Sequence, residues 1–362
     1  MRRTWTTGPA SRRSLLKSLG AAGAAGVAIR ILPGQSFAAE EKQLNVYNWD
    51  TYIGETTLQT FTDKTGIKVQ YDLYANNEEL FAKLKAGNPG YDVIVPSDYM
   101  VETMIKIGMV EALDHSQIPN IKNIDPDPIF SNPAFNPGLK YGVPYVWGTT
   151  GLGYRPSKTG ELDSWETVFA SDKFSGRIAL LDDQRVVLGA VLKFLGFSIN
   201  TVNADEIAKA RDMLIKQKKH IKTLAPDNGQ DLLLSGEVDV VLEWNGDIVQ
   251  VMAEDDDIAY VVPKEGGQVW SDNLCIAAGA PHPGNAHAFL NHIHDPEVNA
   301  ELTNTIQYAT SNIVARKFIN QDDLKNPAIY PPATVVAKCE TLIDVGDATR
   351  LYDEAWTKFK AA

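Results

Sequence analysis

Cysteine is nearly missing from this chain of 362 residues, which has only Cys275 and Cys339. Two thiols cannot build the disulfide framework of a small secreted scaffold. Cys275 falls in an apolar strand pattern and Cys339 in a helical one, so two buried free thiols are expected. Long apolar runs are also missing. Leu19 to Ile29 is rich in Ala and Gly, ends at Arg30, and is shorter than the roughly 20 residues a membrane span needs. Catalytic signatures are missing too: there is no Gly-x-Ser-x-Gly, no phosphate loop and no His-Glu-x-x-His. Four of the six histidines cluster as His282, His287, His292 and His294. Their spacing does not give the i, i+4 pair of a zinc helix, and surface or capping roles are expected. Asp255-Asp256-Asp257 lacks the Gly and the distal Glu of a calcium loop. The sequence therefore predicts no metal and no cofactor. A cleft hydrolase or lyase is left as the rival to a binding function, because a fold alone does not fix function.

Basic charge is scarce as well. Thirty-four Lys and Arg face 46 Asp and Glu, a net charge of −12. Six of the cations lie in residues 1–38, which carry no acid, so the remainder carries −18. Such a chain does not bind nucleic acid or anionic lipid non-specifically, and it suits a cationic ligand. The six cations belong to an export signal. Ser11-Arg12-Arg13-Ser14-Leu15-Leu16-Lys17 is a twin-arginine pattern, and Ser36-Phe37-Ala38 supplies small residues for cleavage. Residues 1–38 are therefore read as a signal peptide and the rest as an exported, periplasmic protein. Its 324 residues exceed what one core usually holds, so two domains are expected.

From Leu44 the chain alternates strand and helix. Leu44–Trp49, Ile67–Tyr71 and Tyr91–Val95 read as strands, with helices over Ile53–Thr65, Asn77–Ala86 and Met100–Ile107. This βαβαβ order predicts a parallel, doubly wound sheet with ligands at the carboxyl ends of its strands. Pro119 to Pro144 lacks periodicity and should wrap the surface. Tyr145–Tyr154 reads as a long strand whose small central residues suit a hinge between lobes. A second α/β unit follows, with strands over Ile178–Leu181 and Val238–Leu242 and helices over Val186–Leu195, Ala204–Lys218 and Asp231–Ser235. After the Gly266-Gly267 turn comes a last strand carrying Trp270 and Asp272. Side chains at i and i+2 share one strand face, so this indole and carboxylate address one volume. A π-face beside a negative charge suits an organic cation.

The same pairing recurs at other strand ends. Trp49, Tyr52, Tyr99, Trp244, Trp270 and Tyr308 are candidate walls of a cleft, and Asp50, Asp183 and Asp272 its candidate charges. A cationic ligand is expected between them.

Several motifs carry a family resemblance. Tyr47-Asn48-Trp49, Lys64-Thr65-Gly66-Ile67-Lys68-Val69, Tyr91-Asp92-Val93-Ile94-Val95-Pro96-Ser97, Pro144-Tyr145-Val146-Trp147-Gly148, Trp244-Asn245-Gly246 and Pro263-Lys264-Glu265-Gly266-Gly267 are six of them. With Ile306-Gln307-Tyr308-Ala309-Thr310-Ser311-Asn312 and Asp344-Val345-Gly346, they resemble the periplasmic spermidine/putrescine-binding proteins of ABC importers. The resemblance spans essentially all of the exported chain. It implies an α/β, two-lobed periplasmic binding-protein fold of type II-like form, each lobe a mostly parallel sheet flanked by helices. The lobes are expected at 39–147 plus 272–314 and at 148–271 plus 315–362. The resemblance implies a monomeric receptor rather than an enzyme, closing on a small cationic amine and delivering it to membrane permease subunits. It places ligand contacts on Trp49, Tyr52, Ser97, Tyr99, Asp183, Trp244, Trp270, Asp272 and Tyr308. Three departures stand out. Asp50 replaces the spermidine binder's Thr, Val186 a Glu and Leu342 a Gln. With the resemblance, a diamine held between Asp50, Asp183 and Asp272 is one expectation, and another organic cation or amine-bearing solute is the alternative ligand.

Overall fold

The structure, a computed structural model, describes residues 40–362. The twin-arginine stretch lies outside the described residues. Nine strands appear in chain order: β1 (Gln43–Trp49), β2 (Lys68–Tyr74), β3 (Val93–Ile94), β4 (Gly142–Tyr154), β5 (Ile178–Leu181), β6 (Ile221–Ala225), β7 (Val240–Trp244), β8 (Ala259–Val261) and β9 (Val269–Ile276). They run in the order β2-β1-β3-β9-β4-β7-β5-β6, with β8 paired to β4. In the first half, β1 lies between β2 and β3 and is parallel to both. In the second half, β5 lies between β6 and β7 and is again parallel to both. The two parallel sets are joined through β9 and β4, which pair antiparallel with each other and with β3 and β7. The expected parallel units are therefore present, and the long strand read at Tyr145–Tyr154 is part of what connects them.

Two large apolar clusters flank this connection. One gathers Leu44, Phe61, Leu80, Ile94, Val143 and Phe289. The other gathers Leu152, Trp165, Leu180, Leu188, Leu242 and Phe359. Helix ends follow their local chemistry. Thr57–Thr65 stops at Gly66, whose φ of 72° is reached without Cβ strain and whose N–H returns to Thr62 O at 2.7 Å. Asn76 caps Asn77–Lys85 by accepting from the Glu79 N–H at 2.9 Å. No helix among the described residues is long and apolar enough to cross a membrane.

Several expectations are corrected. The first helix begins at Thr57, not Ile53, and the third at Asp98, with Ser97 in the N-cap position rather than the helix opening at Met100. Strands β6 and β8 were not expected. Both are short and partly exposed, and Lys222 and Thr223 interrupt the apolar residues of β6. The histidines are not at the surface: His287, His292 and His294 are buried. The His294 ring contacts two backbone carbonyls, Leu290 O at 2.8 Å and Pro144 O at 2.9 Å. Burial pulls its pKa down, which favours the neutral ring. Both cysteines are free, but Cys339 is only half-buried.

The small residues of β4 allow close approach. Gly148 pairs with Trp270, and Gly151 and Gly153 pack under Tyr260 and Ile248. A Cβ on Gly148 would stand 2.6 Å from Trp270 Cζ2 and would also meet the Asn245 side chain. That amide accepts from the Thr149 N–H at 2.9 Å and donates to Ala328 O at 2.8 Å. Gly148→Ala is expected to cost about 1–3 kcal/mol through overpacking. Urea unfolding at constant slope checks this, and an unchanged midpoint would contradict it.

Candidate functional site

The carboxyl ends of β1 and β7 and the start of β9 converge on one small cavity. Trp49 ends β1, Trp244 ends β7, and Trp270 is the second residue of β9. Their rings form an edge-to-face chain. Trp49 and Trp244 have centroids 6.3 Å apart, Trp244 and Trp270 5.6 Å, Trp270 and Tyr308 5.2 Å, and Tyr308 and Tyr52 5.2 Å. Edge-to-face packing holds each ring by its neighbour. Trp49 is further fixed by its indole N–H, which donates to Val95 O at 2.9 Å.

Asp272 stands in one wall, two residues beyond Trp270 and on the same strand face. Its Oδ2 accepts the Tyr52 hydroxyl at 2.7 Å and its Oδ1 accepts the Ser97 hydroxyl at 2.6 Å. Ser97 Oγ in turn accepts from the Asn77 amide at 3.0 Å. Burial pushes the Asp272 carboxyl up to about 7, against the opposing pull of those two hydroxyls. Asp247, in the first turn of the helix Asn245–Met252, stands in another part of the lining and accepts the Thr51 hydroxyl at 3.1 Å. Burial pushes it up to about 7 as well. Asp227 also lines the cavity, and burial and the Asp247 charge drive its carboxyl well up.

Eight of the ten residues expected at the site line this cavity: Trp49, Asp50, Tyr52, Ser97, Trp244, Trp270, Asp272 and Tyr308. Asp50 is exposed there, with its carboxylate accepting from the Thr51 N–H at 2.8 Å. The structure places Tyr99 and Asp183 elsewhere. Asp183 caps the helix Gln184–Phe194 by accepting from the Arg185 and Val186 N–H groups at 2.9 and 3.0 Å. Tyr99 donates to Glu78 at 3.2 Å, and the buried Arg185 guanidinium lies over its ring at 5.7 Å and over Tyr352 at 4.6 Å. The diamine grip expected between Asp50, Asp183 and Asp272 is thus not assembled, because Asp183 serves its own helix terminus.

Sequence reasoning missed Asp227 and Asp247. Asp247 was in view, three residues after Trp244 at the same strand end. Asp227 follows β6, the unrecognised edge strand, so the rule that points to strand ends was never applied to it.

The raised Asp272 carboxyl sets a pH dependence. Its folded value lies near 7 against an ordinary 3.8, so the folded chain keeps a proton that the unfolded chain has lost between those limits. That contribution is complete below about 4 and disappears as pH rises through 7. Asp272→Asn has no such proton to lose. In ligand-free thermal unfolding, its Tm is expected to gain on that of wild type from pH 5 to pH 8. A constant difference would contradict the assignment.

Comparison with known proteins bears on this geometry. Residues 56–331 match the family model described as bacterial extracellular solute-binding protein. The chain is 34% identical to the putrescine-binding periplasmic protein SpuD of Pseudomonas aeruginosa, over 91% of this chain and 94% of that one. It is 36% identical to the spermidine/putrescine-binding periplasmic protein of Salmonella typhimurium, over 90% and 93% respectively. Its fold matches a putative spermidine/putrescine ABC transporter from Listeria monocytogenes with TM-score 0.84 and 31% identity, over 88% of this chain and 99% of that one. The α/β binding-protein fold, the ring-lined cavity and matches that span nine-tenths of the sequence lead to one conclusion: the chain belongs to the bacterial extracellular solute-binding proteins.

Proposed function

We propose that this chain is the substrate-binding protein of an ABC importer and takes a polyamine of the putrescine or spermidine kind into the cavity. The observation that carries this reading is a small cavity walled by aromatic rings and lined by the carboxyl groups of Asp272, Asp247 and Asp227, the first two of them buried. An organic dication meets both of its needs there: π-faces along its methylenes and charge-assisted hydrogen bonds at its ends. The relatives named above are polyamine-binding proteins, which supports a receptor over a hydrolase or lyase. The lobes would divide at 39–147 plus 272–314 and 148–271 plus 315–362, with closure sealing the ligand. Export by the twin-arginine stretch to the periplasm, a monomeric state and delivery to permease subunits complete the reading.

Calorimetry with 1,4-diaminobutane and with its aminopropyl-extended triamine tests it. Saturable binding of at least one of them is expected, with no turnover on prolonged incubation. A response to sugars or anions alone, or any product formed from the amine, would overturn the reading. Trp270→Ala is expected to weaken binding by about 2 kcal/mol, the scale of a desolvated cation–π contact. Asp272→Asn, which keeps the shape but removes the charge, should nearly abolish binding, since an unpaired buried ammonium costs roughly 3–5 kcal/mol. Equal affinities for wild type and both variants would place the ligand elsewhere.

A further inference from the structure

We propose that Asp227, Glu243 and Asp247 form a tripod for an unsubstituted primary ammonium, one N–H per carboxylate, and thereby select the end group of the bound amine. The inference rests on the amine-receptor reading and adds to it which end chemistry is accepted. Ligating oxygens of the three residues lie within 4.8 Å of one another. An ammonium nitrogen about 2.8 Å from three tetrahedrally placed acceptors needs them about 4.6 Å apart. Asp227 and Asp247 line the cavity, and Glu243, with no solvent exposure, completes the trio.

A second observation points to a ligand that brings donors. Glu243 Oε1 accepts from the Trp244 N–H at 3.0 Å, but Oε2 is buried with no hydrogen-bond partner among the described residues. Asn228 Oδ1 and Gln230 Oε1, from the residues on either side of Gly229, are likewise buried without a partner. The stretch therefore holds spare acceptors, and an unpaired buried acceptor is costly until a donor arrives. Gly229 makes the arrangement possible, because a Cβ there would collide with Glu243 Oε2. Burial drives the Asp227 and Glu243 carboxyls well up, as expected of acids that lack a cation.

Asp272 differs from this trio. Each of its oxygens already accepts a hydroxyl, so its end of the cavity holds a cation by charge and ring faces and does not count N–H groups. A divalent metal fits the trio less well than an ammonium. Calcium wants six to eight oxygens, and Asp227 and Asp247 share the cavity lining with the rings of Trp49, Trp244 and Tyr308. The two ends of a diamine are thus treated unequally. One end can carry methyl groups beside Asp272, provided that the other reaches the tripod as –NH3+.

Calorimetry on the purified chain tests this with 1,4-diaminobutane, its N,N-dimethyl derivative, its N,N,N′,N′-tetramethyl derivative and calcium chloride alone. The derivative methylated at one end is expected to bind within about tenfold of the parent, and the one methylated at both ends at least roughly a hundredfold more weakly. In Glu243→Gln, the ratio between the two derivatives should fall below about tenfold. Asp227→Asn reads the same ratio if Glu243→Gln does not fold. Tight binding of the tetramethyl derivative to wild type, or a ratio unchanged in a folded variant, would overturn the tripod. Stoichiometric calcium binding that depends on Glu243 would also overturn it and assign the trio to a metal. If no amine binds at all, the receptor reading falls and takes the tripod with it.

Discussion

The burial of acidic side chains is the constraint on which this site depends. Asp247, Asp272 and Glu243 are buried and Asp227 is partly so, and in each burial works against ionisation. The chain offsets part of this at Asp272 with the hydroxyls of Tyr52 and Ser97, which hydrogen-bond the carboxylate but bring no positive charge. Neutral donors of this kind hold the acid in place and leave its charge for a ligand. The same desolvation that works against the ionised acids strengthens their attraction for a cation once water is excluded.

The scaffold answers this need by bringing strand ends together. β9 pairs with β3 at one end and with β4 along its length, and β4 continues into its pairing with β7. Trp270 and Asp272 therefore sit on the strand that joins the first parallel set to β4, while Trp49 and Trp244 arrive from the ends of β1 and β7. Close packing along β4 depends on residues without bulk, as Gly148 against Trp270 illustrates. Conserving volume there matters more than backbone freedom, since an added methyl has nowhere to go.

Outside the cavity, Arg185 occupies surroundings that would suit a ligand cation. It is buried over Tyr99 and Tyr352, and its charge lowers the carboxyl pKa values of Glu78 and Asp183 against their burial. Its Nε has no partner among the described residues, and its other contacts, to Ile343 O and Asn200 Oδ1, are long at 3.3–3.4 Å. A cation supplied by the chain itself thus faces Tyr99 and Asp183, two residues that the family resemblance assigns to the ligand.

The sequence by itself determined the alternation of strands and helices, because apolar periodicity and Gly stops are local. It also determined the pairing of Trp270 with Asp272, because i and i+2 on a strand must share a face. Eight site residues were legible for the same reason: each belongs to a strand end or to a motif that resembles a known family. Tertiary structure decided the rest. No local signal shows that Arg185 folds over Tyr99. Asp227 stayed hidden because β6 is a short edge strand with weak apolar character, and Glu243 because a buried acid on β7 reads as an interruption of an apolar run. Only the pairing of β5 with β6 and β7 brings Asp227 and Glu243 to Asp247, and long-range pairing of that kind is absent from any single stretch of sequence.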